Sequence, residues 1–149
     1  MHFKRRRRAV KVFCDQMERI QEFARRENGA EIGGLLLGHW EDSNVVIEQI
    51  VEVVDPNATY SSWSRDQHRA QDALDKVLAT DRRSPTIGYV GDWHTHPEMI
   101  CASSTDFLSL KKDSKSYDEP LVMVVRLSDG SFDVHAALRG KLLEADLIS

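Results

Sequence analysis

A pair of neighbouring apolar segments constrains the fold most strongly. Glu31 to Gly38 is apolar after its first residue and broken by glycines, and Asn44 to Val54 is rich in valine and isoleucine. Short runs of this kind, bounded by turn residues, are typical of β-strands. Because a short polar turn near Glu41 to Ser43 joins them, the two segments predict a β-hairpin.

Amphipathic helices are predicted on both sides of this hairpin. In the first helix, Asp15 to Arg26, apolar residues recur every three or four positions, and Asn28-Gly29 ends it. A second helix is capped by Ser64 and runs to about Ala79, and a third begins at Ser103. The apolar residues expected to pack are Met17, Ile20, Phe23 and Ala24 in the first helix and Ala70, Ala73, Leu74, Val77 and Leu78 in the second. The third helix carries Phe107, Leu108 and Leu110.

Three more strands complete the predicted elements. Thr86 to Trp93 reads as a strand that leads directly into His94-Thr95-His96-Pro97, and Leu121 to Leu127 and Ser131 to Leu138 flank a turn. The 149 residues fit one domain, so we expect a single α/β (α+β) domain over residues 1–149.

The composition of the chain argues against some classes of function. The formal net charge is -4, hydrophobic residues make up 41% and charged residues 30%, which is typical of a soluble globular protein. We therefore expect no nucleic acid or membrane as partner, and a cytoplasmic location. The basic run Lys4 to Arg8 is interpreted as a solvated edge or a partner-facing patch. Cys14 and Cys101 are too few for a disulfide framework.

His94 and His96 are the first candidate metal ligands. They are two positions apart, so an extended backbone places both imidazoles on one face. Asp106, at the start of the next helix, would supply a carboxylate, and a catalytic zinc commonly takes three protein ligands. Other divalent ions could also bind such a set. A His-x-His pair alone is often merely polar surface, and that alternative stays open.

Glu31 and Ser103 are the candidate catalytic residues. Hydrolysis at a metal needs a carboxylate outside the ligand set to accept a proton from the attacking water, and Glu31 opens a strand with few polar neighbours. The Ser103 hydroxyl could stabilise an oxyanion. Ser103-Ser-Thr-Asp106 also reads as a capping box, so a purely structural role is the alternative for Ser103 and Asp106.

Taken together, these segments resemble the JAB/MPN metalloproteases that bear the JAMM motif, and in particular their prokaryotic branch. The resemblance rests on Glu31 in Glu-Ile-Gly-Gly-Leu-Leu-Leu-Gly, on Gly91-Asp-Trp-His-Thr-His-Pro97 and on Ser103-Ser-Thr-Asp106. It spans nearly the whole chain. In one departure, six residues separate His96 from Ser103, one fewer than is usual, and they include Glu98-Met99-Ile100-Cys101.

The resemblance implies a three-layer, cytidine-deaminase-like fold in which helices flank a curved mixed β-sheet. It implies one catalytic Zn²⁺ held by His94, His96 and Asp106, with Glu31 as general base and Ser103 stabilising the oxyanion. The implied substrates are ubiquitin-like proteins or their conjugates, cleaved after the C-terminal tail. Bacterial relatives often accompany activating and conjugating enzymes of the same operon, or antiphage defence systems.

Two other functions and one regulatory role stay open. The chain could be a catalytically inactive MPN-type interaction scaffold, although such scaffolds typically lack the ligands that are present here. It could instead process a small molecule or a sulfur carrier with the same chemistry. Cys101 could bind the metal as a thiolate and hold the site inactive. Residues 59–64 and 98–102 are expected to form walls of the substrate groove.

Overall fold

A mixed β-sheet with helices on both of its faces forms the framework of the protein. The computed structural model describes residues 8–26, 31–42, 44–58, 63, 65–80, 87–96 and 102–148. The helices are α1 (Cys14–Arg26), α2 (Gln67–Thr80) and α3 (Ser104–Ser114). The strands are β1 (Arg8–Val12), β2 (Gly33–Glu41), β3 (Asn44–Glu52), β4 (Gly88–Thr95), β5 (Leu121–Arg126), β6 (Phe132–Leu138), β7 (Lys141–Leu143) and β8 (Ala145–Ile148).

The eight strands lie in the order β7-β6-β5-β4-β2-β3-β1-β8. Strands β2 and β3 form the expected hairpin, and β2 also pairs antiparallel with β4. Strand β4 pairs parallel with β5, and β1 pairs parallel with both β3 and β8. Strands β2 and β4, which lie side by side in the middle of the sheet, therefore each have a partner on both sides.

Helix α1 covers one face of the sheet. Its Ile20 packs in a cluster with the alternate strand residues Leu36, Val122 and Val124. Phe23 of the same helix stacks on Trp93, with ring centroids 5.8 Å apart. The edge strands β7 and β8 both send side chains to this cluster, which a sheet can do only if it curves around α1.

Helices α2 and α3 cover the opposite face. Leu35 and Leu37, which alternate with Leu36 along β2, pack against Ala70 of α2. Likewise Met123 alternates with Val122 and Val124 along β5, and it packs with Leu110 of α3. The architecture is thus three layers, α1, sheet, then α2 with α3, as the resemblance implied.

Most predicted elements are confirmed, with shifted ends. Helix α1 starts at Cys14, α2 starts at Gln67, and α3 starts at Ser104 with Ser103 as its N-cap. The expected cap Ser64 and the expected helix stop Asn28-Gly29 lie outside the described residues, as does Ser43 of the hairpin turn.

Some details differ from the predictions. Strand β4 continues to Thr95, because His94 and Thr95 both pair with β5, so the strand ends two residues later than predicted and the histidines lie at its end, as expected. Leu108 is 63% exposed, since α3 turns its Phe107 and Leu110 to the sheet. Strands β1, β7 and β8 were not predicted, because they are short and carry charged residues.

The basic run is only partly described. Arg8, its last residue, is half-buried and begins β1, while residues 1–7 lie outside the described part of the chain. None of the helices in the described ranges has the length and apolar character required to cross a bilayer.

Candidate metal centre

The candidate residues of strands β2 and β4 meet where these two strands pair. Glu31 lies two residues before β2, and Gly33 at the start of β2 pairs with His94 of β4. His96 follows the end of β4. Because residues 94 and 96 alternate with residue 95 on extended backbone, both rings emerge on the face covered by α2 and α3.

Backbone hydrogen bonds fix this part of the sheet. The Thr95 amide donates to the Ile32 carbonyl at 2.8 Å, and the Ile32 amide donates to the Thr95 hydroxyl at 3.1 Å. On the other side, the His96 amide donates to the Arg126 carbonyl of β5 at 2.8 Å. The segments that carry Glu31 and the two histidines are therefore held by strands on both flanks.

Asp106 comes from the first turn of α3. The Ser103 amide donates to Asp106 Oδ2 at 2.8 Å, and the Asp106 amide donates to Ser103 Oγ at 3.1 Å. These reciprocal bonds form a capping box, which the sequence pattern offered as the structural alternative. The cap orients the carboxylate, so the capping role and a ligand role are compatible.

The side chains converge on one point. His94 Nε2 and His96 Nε2 are 3.2 Å apart, and Asp106 Oδ2 is 3.5 Å from each of them. Glu31 Oε1 is 3.7 Å from His96 Nε2. The potential ligand atoms of Glu31, His94 and His96 also all lie within 4.8 Å of one another.

These distances suit a tetrahedral ion. Two ligands of a tetrahedral zinc, each about 2.0–2.1 Å from the ion, lie about 3.3 Å from each other. The triangle formed by the two Nε2 atoms and Asp106 Oδ2 has edges of 3.2, 3.5 and 3.5 Å. Two imidazole nitrogens and one carboxylate oxygen are also a donor set that zinc accepts. The residues present could therefore hold one such ion.

Burial and neighbouring charges set the protonation of the two acids. Burial raises the pKa of Glu31 above its ordinary value, against the lowering effect of His94 and His96. Burial also acts to raise the pKa of Asp106, but the His94 ring and the Ser103 amide outweigh it and hold this pKa below its usual range. Asp106 is thus suited to stay a carboxylate, whereas Glu31 is suited to exchange a proton.

Trp63 lies beside the cluster. Its indole is nearly parallel to the His94 ring, with centroids 6.4 Å apart and 9° between the planes, and its Nε1 donates to the Val53 carbonyl at 3.2 Å. Gly33 permits this arrangement, because a Cβ there would lie 2.8 Å from the indole and 2.6 Å from the Trp93 carbonyl oxygen. The glycine therefore makes room for the ring beside His94.

Arg65 anchors the segment that carries Trp63. Its Nη1 donates to Tyr89 Oη at 2.6 Å and to Asp92 Oδ2 at 2.8 Å, and its Nη2 lies 3.3 Å from Asp113 Oδ2 of α3. Asp92 shares the face of β4 that carries His94. One guanidinium thus ties the Trp63 segment to both β4 and α3 next to the cluster.

An open cleft of about 280 Å³ starts at His94 and Asp106. It runs along α3, which lines it with Thr105 and Ser109, over a floor that includes Met123 of β5. Trp63 and Arg65 form the opposite wall. Two members of the cluster, His94 and Asp106, thus line the cleft.

The structure brings together Glu31, His94, His96 and Asp106, all of which were predicted as site residues. The Ser103 side chain is exposed and accepts a hydrogen bond, so its hydroxyl proton remains available for donation. Cys101 and most of the two expected groove walls lie outside the described residues. Sequence reasoning missed Arg65 and Asp92, although a charged residue inside an apolar strand is a signal that it must find a partner.

Known proteins are similar to this chain in sequence and in fold. Residues 15–137 match the family of prokaryotic homologs of the JAB domain. "Probable metalloprotease y4qB" from Sinorhizobium fredii (strain NBRC 101917 / NGR234) is 34% identical over 85 residues, which cover 54% of this chain and 49% of that protein. The chain thus spans about half the length of this curated relative. The solution structure of protein DSY2949 from Desulfitobacterium hafniense superposes with a TM-score of 0.66 at 18% identity, covering 94% of this chain and 93% of that one, a likeness of fold alone.

Proposed function

The chain belongs to the prokaryotic JAB domain family, and from this membership we propose that it is a zinc-dependent peptidase of the JAMM type. The observation that carries the proposal is the convergence of two imidazole nitrogens and one carboxylate oxygen, 3.2 to 3.5 Å apart. A second, buried carboxylate lies 3.7 Å from one of those nitrogens. The name of the relative from Sinorhizobium fredii supports the same class of activity.

In this proposal His94, His96 and Asp106 hold the ion. A bound Zn²⁺ supplies a Lewis acid that acidifies water and polarises a carbonyl oxygen at neutral pH. The lowered pKa of Asp106 keeps that carboxylate ionised, which favours binding of a cation. Two neutral histidines and one carboxylate leave room for a fourth group, as a catalytic site requires.

Glu31 acts as the general base. It accepts a proton from the attacking water and passes it to the leaving amine, so it must lie near the cluster without being consumed as a ligand. Its side chain is 5% exposed and its pKa is raised by burial, which brings proton exchange closer to neutral pH. A buried, poorly solvated carboxylate is also a stronger base toward a nearby proton donor than one in water.

Ser103 stabilises the developing oxyanion. Its Oγ accepts the Asp106 amide and keeps its own proton for donation, and the cap places it one turn from the carboxylate that faces the histidines. A correctly aimed hydroxyl donor typically contributes two to three orders of magnitude to the rate of acyl transfer, on the order of 3 kcal/mol.

We propose that the substrate is the C-terminal tail of a ubiquitin-like protein, in a precursor or joined to a lysine. An extended tail would lie in the cleft along α3, because β2 and β4 already have partners on both sides and offer no free edge beside the cluster. Family membership supports this substrate class. The partners then include the ubiquitin-like protein, and activating and conjugating enzymes encoded in the same operon, as in antiphage systems.

The central test replaces Glu31 by glutamine. We expect Glu31→Gln to bind one Zn²⁺ per chain as the wild type does and to cleave a ubiquitin-like fusion about 10²- to 10⁴-fold more slowly, because only the proton acceptor is lost. Zinc content and the cleavage rate are measured on the same preparations. Glu48→Gln is the matched control, since Glu48 is also a partly buried carboxylate beside a histidine, His39, but lies far from the cluster.

Two outcomes would contradict the proposal. If Glu31→Gln cleaved at the wild-type rate, Glu31 would not be the base. If wild-type protein, purified without chelator, contained no zinc and took up none, the chain would be better explained as an inactive interaction scaffold.

A further inference from the structure

Strand β6 carries two polar side chains toward the start of α3. Asp133 and His135 share the face on which Ala137 packs with Leu110 of α3. Asp133 is 20% exposed and His135 is 29% exposed, so both are largely covered. The proposed chemistry uses neither residue.

Both residues contact the segment that begins α3. Asp133 Oδ2 accepts the Ala102 amide at 2.9 Å, and its Oδ1 lies 2.9 Å from His135 Nε2. The His135 ring meets the Phe107 ring edge-on, with centroids 4.7 Å apart. Ala102 directly precedes Ser103, and Phe107 directly follows Asp106, so β6 contacts the chain on both sides of the capping box.

Asp133 also belongs to the part of the sheet that carries the histidines. In the register of the strands His94 pairs with Val125, and Val125 pairs with Asp133. The carboxylate that accepts the Ala102 amide is therefore fixed to the same row of the sheet as His94. This hydrogen bond therefore positions the first turn of α3 relative to the row of the sheet that contains His94.

We infer that Asp133 is a positioning residue for the metal cluster. By holding Ala102 it sets the place of Ser103, whose amide in turn orients Asp106 Oδ2. Two members of the cluster lie on the sheet and one on α3, so a ligand triangle of 3.2 to 3.5 Å requires a defined distance between sheet and helix. The hydrogen bond from the Ala102 amide to Asp133 connects the sheet to the N-terminal end of α3, where Asp106 lies.

The hydrogen bond between Asp133 and the Ala102 amide is important because the segment between His96 and Ser103 is short. This segment has only six residues, and it must join the end of β4 to the N-cap of α3. A charged acceptor forms a stronger hydrogen bond to a backbone amide than a neutral one, so a carboxylate at position 133 holds the end of this segment firmly.

This inference rests on the proposed function, and zinc affinity tests it. The dissociation constant for Zn²⁺ is measured by competition with a chromogenic chelator, and the visible spectrum of the Co²⁺-substituted protein reports the ligand geometry. We expect Asp133→Ala to weaken zinc binding about tenfold or more, and Asp133→Asn, which retains a neutral acceptor, to weaken it about threefold. The Co²⁺ spectrum of Asp133→Ala should also change. Asp118→Ala is the control, because Asp118 is 96% exposed and lies away from the cluster.

The stability of the metal-free protein separates positioning from a merely structural role. If Asp133→Ala lowered the free energy of unfolding but bound Zn²⁺ as tightly as the wild type, the inference would be overturned. If Asp133→Ala did not fold, Asp133→Asn would decide, and unchanged zinc affinity in that variant would overturn the inference as well. Wild-type protein that binds no Zn²⁺ would refute the proposed function and the inference together, whereas tight wild-type binding with unaffected variants would refute the inference alone.

Discussion

Histidine and carboxylate side chains cluster beside each end of strand β2, yet the two clusters differ in geometry. At the first end, the Nε2 atoms of His94 and His96 and the Oδ2 atom of Asp106 face one another at 3.2 to 3.5 Å. At the far end, His39 uses Nδ1 for Glu48 at 2.9 Å and Nε2 for Glu41 at 3.0 Å. The His39 nitrogens therefore point to separate partners.

This difference in geometry distinguishes a candidate metal site from a pair of ion contacts at the surface. A metal ion needs several lone pairs aimed at one point. Holding these mutually repelling donor atoms close together lowers the stability of the metal-free protein. His39 satisfies each nitrogen locally, and Glu41 beside it is 66% exposed. The side chains of His94, His96 and Glu31 are only 8%, 11% and 5% exposed. Residue type is similar at both ends, so convergence and burial are what distinguish them.

The largest expected effect is on metal binding. His94→Ala removes one of the three proposed ligands. A structural zinc site with four protein ligands is worth about 10–16 kcal/mol, so one ligand contributes roughly 3 kcal/mol, or about two orders of magnitude in affinity. Cleavage should be lost with the metal. His39→Ala should bind zinc as the wild type does. Equal zinc affinity in the two variants, measured by chelator competition, would remove the distinction between the clusters.

A smaller effect is expected where β2 and β4 pair. Gly33 faces His94 in this pairing, whereas Gly88 faces Gly38 at the other end. A Cβ at residue 33 would lie 2.6 Å from a backbone oxygen, so Gly33→Ala should cost about 1–3 kcal/mol of unfolding free energy. A Cβ at residue 88 meets nothing within 4 Å.

Urea denaturation of the metal-free proteins checks this pair of variants. Gly88→Ala should stay within about 0.5 kcal/mol of the wild type. Gly33→Ala should also alter the packing of Trp63 beside His94, and hence the tryptophan fluorescence. Comparable stabilities would mean that the close approach at residue 33 is easily relaxed and that this end of the sheet is not specially constrained.

The smallest expected effect is on how the stability depends on pH, and it arises from His39 at the far end of β2. Hydrogen bonds to Glu41 and Glu48 raise the pKa of His39. A raised folded-state pKa gives stability that is fully present below the unfolded value, about 6.5, and is lost as the pH rises through the folded value. The contribution should stay under about 1 kcal/mol because the ring is partly exposed to solvent.

This effect is measured by comparing His39→Gln with the wild type. The difference in unfolding free energy should be larger at about pH 6 than at about pH 9. His68→Gln, at an exposed helical position, is the control for replacing a histidine by glutamine. A difference that grew with pH would have the wrong sign and would contradict the ion contacts of His39.

The sequence predicted the elements whose signal is local. Met17, Ile20 and Phe23 recur with helical spacing and pack as expected, and the hairpin follows from two apolar runs with a polar turn between them. Glu31, His94, His96 and Asp106, which the structure brings together, were proposed as a group because their types are restricted by metal chemistry and their order is specific. Periodicity and residue type were sufficient in these regions.

Other features depend on contacts between distant segments and had no local signal. Strand β1 begins with Arg8 and contains Lys11, so its composition resembles a solvated terminus, and only pairing with β3 and β8 makes it a strand. Arg65 and Asp133 act through partners 27 and 31 residues away. No pattern within a short window could have joined them to the site.

If the chain binds zinc as proposed, the capping box of α3 couples the shape of the cleft to the occupancy of the cluster. Asp106 Oδ2 accepts the Ser103 amide at 2.8 Å and faces both histidine rings, so a single oxygen would serve both the helix end and the ion. Such coupling is reciprocal, and whatever secures the helix end favours the ion by the same free energy. Thr105 and Ser109 of α3 line the cleft. Loss of the ion would therefore increase fraying of the start of α3, which forms a wall of the cleft. A substrate that orders this wall would in turn help to retain the ion.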